Sequence, residues 1–197
     1  MRRREFIAGV GGAAAWSLAA RAQQPPRKMR RLGVLLPGAP PDPLVEAMQG
    51  RLRELGYSEG RDIAFEFRWA EGKPERLTQL ATELADLKVD VITAFSTPAA
   101  IAAQKATTTI PIVFTLVGDP VGTGLVSNLA RPGGNVTGLS LLATELAAKR
   151  LEILQEIAPH MSPLGMFFND TNPSMVLSAH QSQDAACHRL CSPARTR

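Results

Sequence analysis

Two periods of hydrophobic and polar positions alternate along this chain. Short apolar runs of β-prone residues predict strands, and apolar residues spaced three to four apart predict helices with one buried face. The runs predict strands at 32–36, 63–69, 90–95, 110–116, 136–141 and 164–168. The helical spacing predicts helices at 43–55, 74–87, 98–106, between 124 and 131, and at 142–158, with another helix starting near 172.

Strand and helix therefore alternate at least four times with short links. This alternation predicts an α/β fold with a parallel, doubly wound sheet, helices on both faces and right-handed crossovers. In such sheets ligands bind outside the carboxyl ends of the strands. Three loops, at 37–42, 96–98 and 118–120, follow predicted strands at that edge. The sequence thus predicts that three separate segments meet at one site.

The turn Ser96-Thr97-Pro98 is the most informative of these loops. A β-prone run ends there and an alanine-rich helix begins at once. Ser96 or Thr97 is placed to cap the helix, and Pro98 suits its first turn. Backbone N–H groups and a hydroxyl at the positive end of a helix dipole suit a carboxylate or phosphate. An ordinary helix cap without a ligand is the alternative interpretation.

Composition and charge argue against several classes of binding site. The chain is 45% hydrophobic, 20% charged and 5% aromatic, which is typical of a soluble globular protein with an aliphatic core. Most of the formal net charge of +4 lies in residues 1–22, so no basic face for nucleic acid is predicted. Cys187, His188 and Cys191 lack the second pair of ligands that a zinc site needs, so no metal site is predicted. The proline-rich loop at 37–42 differs from the glycine turn of a Rossmann fold, which argues against a nicotinamide or flavin cofactor.

Residues 1–22 have the features of an export signal. Arg2, Arg3 and Arg4 precede a weakly apolar middle, and 20–22 is a small-x-small cleavage site. The stretch 3–7, Arg-Arg-Glu-Phe-Ile, resembles a twin-arginine signal, and a general secretory signal is the alternative. The middle is too short for a membrane span, and no cysteine follows it to carry a lipid anchor. We therefore expect a soluble mature protein in the periplasm.

Several motifs together resemble the ABC-transporter substrate-binding proteins of the tryptophan/tyrosine type. They are Gly-Val-Leu-Leu-Pro-Gly (33–38), Ile-Pro-Ile-Val-Phe (110–114), Gly-Asp-Pro-Val-Gly-Thr-Gly-Leu-Val (118–126) and Ala-Arg-Pro-Gly-Gly-Asn-Val-Thr-Gly-Leu-Ser (130–140). The resemblance covers about residues 1–180. It implies a periplasmic-binding-protein-like fold of type I, with two lobes that close on a small ligand. It also implies a receptor that delivers its solute to a membrane permease and catalyses no reaction.

The resemblance further implies a set of ligand-binding residues. Ser96 and Thr97 match the turn that holds the ligand carboxylate, and Gly118 and Asp119 match a second cleft loop, where Asp119 would accept an amino group. Asn169 and Asn172 match the loop at the start of the other lobe and would add amide contacts. Asp before Pro is equally a turn element, and Asn is common in turns, so structural roles stay open for Asp119 and both asparagines.

The chain departs from the family in length. We expect a first lobe at 23–141, a partial second lobe at 142–180 and an atypical tail at 181–197, where no sustained hydrophobic period is visible. Such a tail is what a frameshift or premature end would produce. A ligand held by one lobe would lose part of the burial usual in small-molecule sites, and apolar surface would be exposed. The hypothesis that this copy is impaired therefore stands beside the binding function.

Two other functions remain open from the residues alone. An α/β enzyme would need a nucleophile, base or metal set, but the chain has no Gly-x-Ser-x-Gly elbow and no phosphate loop. A sensor lobe that signals through a protein partner is the other alternative, and the export signal weakens it. The ligand class that the resemblance suggests is an aromatic amino acid or another small carboxylate.

Overall fold

The computed structural model describes residues 29–142, 144–159 and 164–190. The predicted export signal and cleavage site, together with Cys191, lie outside these residues. The strands of the described part are β1 (Arg30–Leu36), β2 (Ile63–Trp69), β3 (Val91–Phe95), β4 (Ile112–Val117) and β5 (Val136–Ser140). The helices are α1 (Pro43–Glu54), α2 (Arg76–Asp86), α3 (Thr97–Ala106), α4 (Ala147–Ile157) and α5 (Pro173–Leu190).

The five strands form one sheet in the order β2-β1-β3-β4-β5, and every neighbouring pair is parallel. This confirms the predicted parallel α/β architecture. The winding direction reverses between β1 and β3, and a crevice at the carboxyl ends of two such strands is the usual ligand position. The loops at 37–42, 96–98 and 118–120 follow β1, β3 and β4, so all three lie at this edge.

The sheet carries a hydrophobic core on each face, because successive side chains of a strand point to opposite sides. Leu35 of β1 packs in the larger core, which α2 and α3 cover with residues such as Leu84 and Ala103. Val34 and Leu36 belong to the smaller core, with Val45 of α1. The apolar run of β1 is thus buried on both faces, as its sequence predicts.

Strand β2 lies at the edge of the sheet, as its alternating pattern predicts. Its rings stack along one face, with centroids 5.5 Å apart between Phe65 and Phe67 and 6.1 Å apart between Phe67 and Trp69. These rings pack against the smaller core and remain half-buried. The stacked rings cover one face of β2, but that face is half-buried and not fully buried as we expected.

The helix predicted between 124 and 131 is wrong, since residues 121–130 form turns and bends. Side chains there satisfy the backbone groups that a helix would use. The Thr123 hydroxyl donates to the Asp119 carbonyl (2.6 Å), and the Asn128 side chain accepts from the Ala130 amide (2.7 Å). Such local bonds, together with the low helix propensity of glycine at Gly122 and Gly124, explain the difference.

The strand predicted at 164–168 is also wrong. These residues are irregular and exposed, and Phe167 is fully exposed. A strand exists only through hydrogen bonds to a neighbouring strand. Every strand of the described residues belongs to the sheet β2-β1-β3-β4-β5, so the apolar run at 164–168 has no partner among them.

The last two helices differ from prediction at their ends. Helix α4 begins at Ala147 rather than near 142, and Leu142 has a left-handed backbone (φ 48°) that a helix cannot continue. Helix α5 runs to Leu190, past the point near His180 where we expected the pattern to decay. Buried Ala179 and Ser182 hold it against the fold. Within the described residues, no helix has the length and apolar character of a membrane span.

Candidate functional site

Ser96 caps helix α3 at the carboxyl end of β3. Its side-chain oxygen accepts a hydrogen bond from the Ala99 amide (3.4 Å), which confirms the predicted cap. Its backbone has φ 104° and ψ 160°, a region that is almost restricted to glycine. The amide of Ser96 donates to the Thr115 carbonyl (3.0 Å) of the neighbouring strand, and this bond together with the cap to Ala99 holds the unusual conformation.

Three further non-glycine residues at this edge have left-handed backbones, and one of them is Glu71 (φ 56°), which follows β2. Leu116 (φ 57°) lies in an irregular part of β4 between Phe114 and Val117, and Leu142 (φ 48°) follows β5. With Ser96, each of three neighbouring strands therefore has one such residue at or just after its carboxyl end. Conformations of this kind cost about 1–3 kcal/mol each and concentrate at functional sites. Their position coincides with the site that the topology indicates.

A buried chain of hydrogen bonds joins three loops at this edge. The Gly118 amide donates to the Thr97 hydroxyl (3.4 Å), and Thr97 donates to Ser174 (3.0 Å). Ser174 in turn donates to the Asn172 side-chain oxygen (2.9 Å). Thr97 is 0% exposed and Ser174 is 6% exposed. The structure thus connects Thr97, Gly118 and Asn172, which are three of the six residues proposed from sequence.

Asp119 has a clear structural role in its own turn. One carboxylate oxygen accepts from the Gly122 amide (2.7 Å). A Cβ atom at Gly122 would overlap that carboxylate, so only glycine fits this position without a shift. The side chain is half-buried. The turn role that the Asp-Pro sequence suggested is therefore present, and a contact with a ligand amino group remains a prediction.

The two predicted asparagines also organise turns. The Asn169 side-chain oxygen accepts from the amide (3.0 Å) and the hydroxyl (2.7 Å) of Thr171. The Asn172 oxygen accepts from the amide of Ser174 (3.2 Å) as well as from its hydroxyl. Asn169 is exposed, whereas Asn172 is half-buried. In both residues the oxygen accepts these hydrogen bonds, so the amide N–H groups are the donors of the side chain.

Ser174, in the first turn of α5, was not among the predicted site residues. The signal that pointed to it was the Asn-Pro-Ser segment at the start of α5, where the asparagine is in fact the residue that accepts from Ser174. Thr97 was predicted to hold the ligand directly. Its hydroxyl is bonded to Gly118 and Ser174 inside the protein, and its contact with a ligand stays a prediction.

A second feature, which the sequence did not predict, is an apolar groove of about 320 Å³ beside α4 and α5. Its walls include Leu151, Leu154, Phe168, Met175 and Ala179. The groove contains residues of the unpaired 164–168 segment and none of the six predicted site residues. Among the described residues, no three histidine, cysteine, aspartate or glutamate side chains group closely enough to hold a metal ion.

Comparison with known proteins places this geometry in a family. The family model described as ABC transporter substrate binding protein matches residues 35–186. A curated relative from Clostridioides difficile (strain R20291), named Tyrosine-binding protein, is 35% identical over 136 residues. The match covers 68% of this chain and 39% of that relative, so the chain spans about two fifths of the relative's length.

Two solved structures share the fold. A conserved domain protein from Vibrio cholerae is 33% identical, with a TM-score of 0.73, over 82% of this chain and 55% of that one. An ABC domain from Streptococcus pneumonia in complex with L-Trp is 24% identical, with a TM-score of 0.72 and the same coverage, and it shows the fold alone. The family model spans strands β2 to β5, the candidate site and most of α5. This chain belongs to the family of ABC transporter substrate-binding proteins.

Proposed function

We propose that this chain is the extracytoplasmic solute-binding component of an ABC importer and that it binds a small carboxylate-bearing ligand. The observation that carries the proposal is the meeting of Ser96, Thr97, Gly118 and Asn172 at one strained sheet edge. These residues come from three separate loops. In parallel sheets this edge, next to the point where the winding reverses, is where ligands bind.

The chemistry of this edge favours an anionic ligand group. The first turn of α3 directs its backbone N–H groups and its dipole toward the site, and the Ser96 hydroxyl lies beside them. The amide nitrogens of Asn169 and Asn172 are also donors, because their oxygens are already engaged. A cluster of donors suits the acceptor oxygens of a carboxylate.

An aromatic amino acid is the ligand class that we favour. The support is the 35% identity to the protein named Tyrosine-binding protein. In this proposal the Asp119 carboxylate accepts a hydrogen bond from the ligand amino group. Its bond to the Gly122 amide leaves other lone pairs of the carboxylate available for this. Gly118 lets the backbone after β4 approach the ligand. The ligand is bound without being chemically changed.

The proposal also covers the organisation and location of the chain. Residues 23–141 form a first lobe, and 142–180 begin a second lobe that closes on the ligand. Residues 1–22 direct the protein to the periplasm, where it meets the permease of the importer. The turn at 169–172 would belong to the second lobe, and its bond network to Thr97 is where the lobes meet.

Calorimetric titration of the purified chain tests this function. L-tryptophan and L-tyrosine are compared with tryptamine and tyramine, which lack the carboxylate. We expect saturable binding of at least one amino acid and at least ten-fold weaker binding of its amine. Ser96→Ala should weaken the binding of the amino acid, whereas Ser58→Ala, at a distant turn, should not. Equal binding of amino acid and amine would contradict the carboxylate site.

A further inference from the structure

The buried hydrogen-bond chain has only one possible direction. The Gly118 amide can only donate, so the Thr97 oxygen is the acceptor at one end. The Asn172 side-chain atom that receives the Ser174 amide must be the oxygen, so it can only accept at the other end. Between these fixed ends, Thr97 must donate to Ser174 and Ser174 must donate to Asn172.

The members of this hydrogen-bond chain are largely buried, which makes each bond costly to lose. Thr97 is 0% exposed and Ser174 is 6% exposed, and Gly118 is also buried. Water therefore cannot replace a missing partner easily, and a lost hydroxyl leaves a buried polar group unpaired. Ser174 is the central member, because it is the partner of both Thr97 and Asn172. Its replacement would release two side chains at once.

We propose that Ser174 is a positioning residue of the ligand site, since its hydroxyl accepts a hydrogen bond from Thr97 and donates one to the Asn172 oxygen. This inference rests on the proposed function. The arrangement holds the Asn172 amide with its N–H groups toward the ligand. It also means that Thr97 does not donate to the ligand carboxylate, so that the donors are the Ser96 hydroxyl, the α3 backbone and the amides of Asn169 and Asn172. The site therefore selects acceptor oxygens.

Titration of the full chain and three variants tests the role of Ser174. Ser174→Ala removes the hydroxyl, and Ser174→Thr keeps it. The matched control is Ser182→Ala, because Ser182 is a buried serine of the same helix whose hydroxyl donates only to the Ser178 carbonyl (2.8 Å). The probes are whichever of L-tryptophan and L-tyrosine binds the wild type, together with its amide, in which the carboxylate is neutral.

We expect Ser174→Ala to weaken amino-acid binding about ten-fold and to reduce the preference for the acid over its amide by a similar factor. Ser182→Ala should stay within two-fold of the wild type, and Ser174→Thr should recover most of the affinity. A merely structural role would weaken both probes equally and leave the preference unchanged. That result, or wild-type binding in Ser174→Ala, would overturn the inference.

Folding is checked separately. If Ser174→Ala gives no cooperative melt, Ser174→Cys replaces it in the same comparison, because a thiol is a weak donor of similar size. A double-mutant cycle of Thr97→Val with the Ser174 variant should show about ten-fold coupling in the folding equilibrium constant. Additive effects would overturn the hydrogen-bond chain. A wild-type chain that binds neither amino acid would instead overturn the proposed function, and the positioning role with it.

Discussion

The backbone amide of Gly118 donates to the buried hydroxyl of Thr97 (3.4 Å), which ties the loop after β4 to the first turn of α3. Thr97→Val keeps the volume of the side chain and removes the hydroxyl. Gly118 and Ser174 then lose a partner in a buried position, so we expect a loss of about 1–3 kcal/mol in the free energy of unfolding.

Urea denaturation measures this loss. Thr97→Ser serves as the control, since it keeps the hydroxyl and loses only a methyl group. We expect its midpoint to lie between those of the wild type and Thr97→Val. Equal midpoints for the wild type and Thr97→Val would show that the hydroxyl contributes nothing to the fold.

The backbone conformation of Ser96 predicts an opposition between stability and binding. Glycine adopts φ 104° and ψ 160° without strain, whereas alanine does not. We expect Ser96→Gly to match or exceed the wild-type melting temperature, and Ser96→Ala to lower the free energy of unfolding by about 1 kcal/mol through the lost cap. Both variants should bind the ligand less tightly, because both lack the hydroxyl. A Ser96→Gly variant that is less stable than Ser96→Ala would contradict the strained conformation.

The sequence predicted the Ser96 turn well because its causes are local. A strand that ends at a capping serine, followed by proline and alanines, specifies the start of a helix within a few residues. The parallel sheet was predictable for a similar reason, since alternating strands and helices with short links allow few other topologies. The strain at Ser96 was not predictable, because it depends on the Thr115 carbonyl of the next strand.

Asn135, the last residue of the Arg-Pro-Gly-Gly-Asn segment, holds a neighbouring loop in place. The Asn135 side-chain amide donates to the carbonyls of Thr107 (3.1 Å) and Ile110 (2.7 Å), in the loop that leads from α3 into β4. We expect Asn135→Ala to cost about 1–3 kcal/mol, because two carbonyl groups lose their donor. Asn135→Asp should cost at least as much, since a carboxylate cannot donate to them.

The matched control is Asn128→Ala. Asn128 is exposed and its side chain accepts from the nearby Ala130 amide (2.7 Å), so its loss should cost less than 1 kcal/mol. For a chain of this size, the Asn135 variants should melt several degrees lower than the control. Similar melting temperatures for both asparagine variants would show that the Asn135 bonds are dispensable.

The groove beside α4 and α5 predicts a tendency to self-associate. Phe167 is fully exposed next to this apolar groove, and exposed apolar patches favour aggregation. We expect Phe167→Ser to reduce light scattering at a given protein concentration without lowering the melting temperature. Leu55→Ser, an exposed apolar residue at the end of α1, should change the scattering less. An equal reduction of light scattering in the two variants would show that the groove does not drive self-association.

The parts of the fold that the sequence did not predict depend on distant partners. The apolar run at 164–168 has the composition of a buried strand, but a strand requires a neighbour, and local pattern cannot show whether one is present. The bond between Thr97 and Ser174 joins residues 77 positions apart. The sequence indicates that Thr97 is a polar residue at the carboxyl end of β3. It does not show that the Thr97 hydroxyl bonds to Ser174 inside the protein.

A thermal melt of the purified chain, alone and with L-tryptophan, L-tyrosine and small carboxylates, tests whether this chain binds a solute. A ligand at a hundred times its dissociation constant adds about 2.7 kcal/mol to the folded state. We expect a cooperative transition whose melting temperature one amino acid raises by about 5–10 °C. A transition that none of these ligands moves, or the absence of a cooperative transition, would contradict the claim that this chain binds a solute.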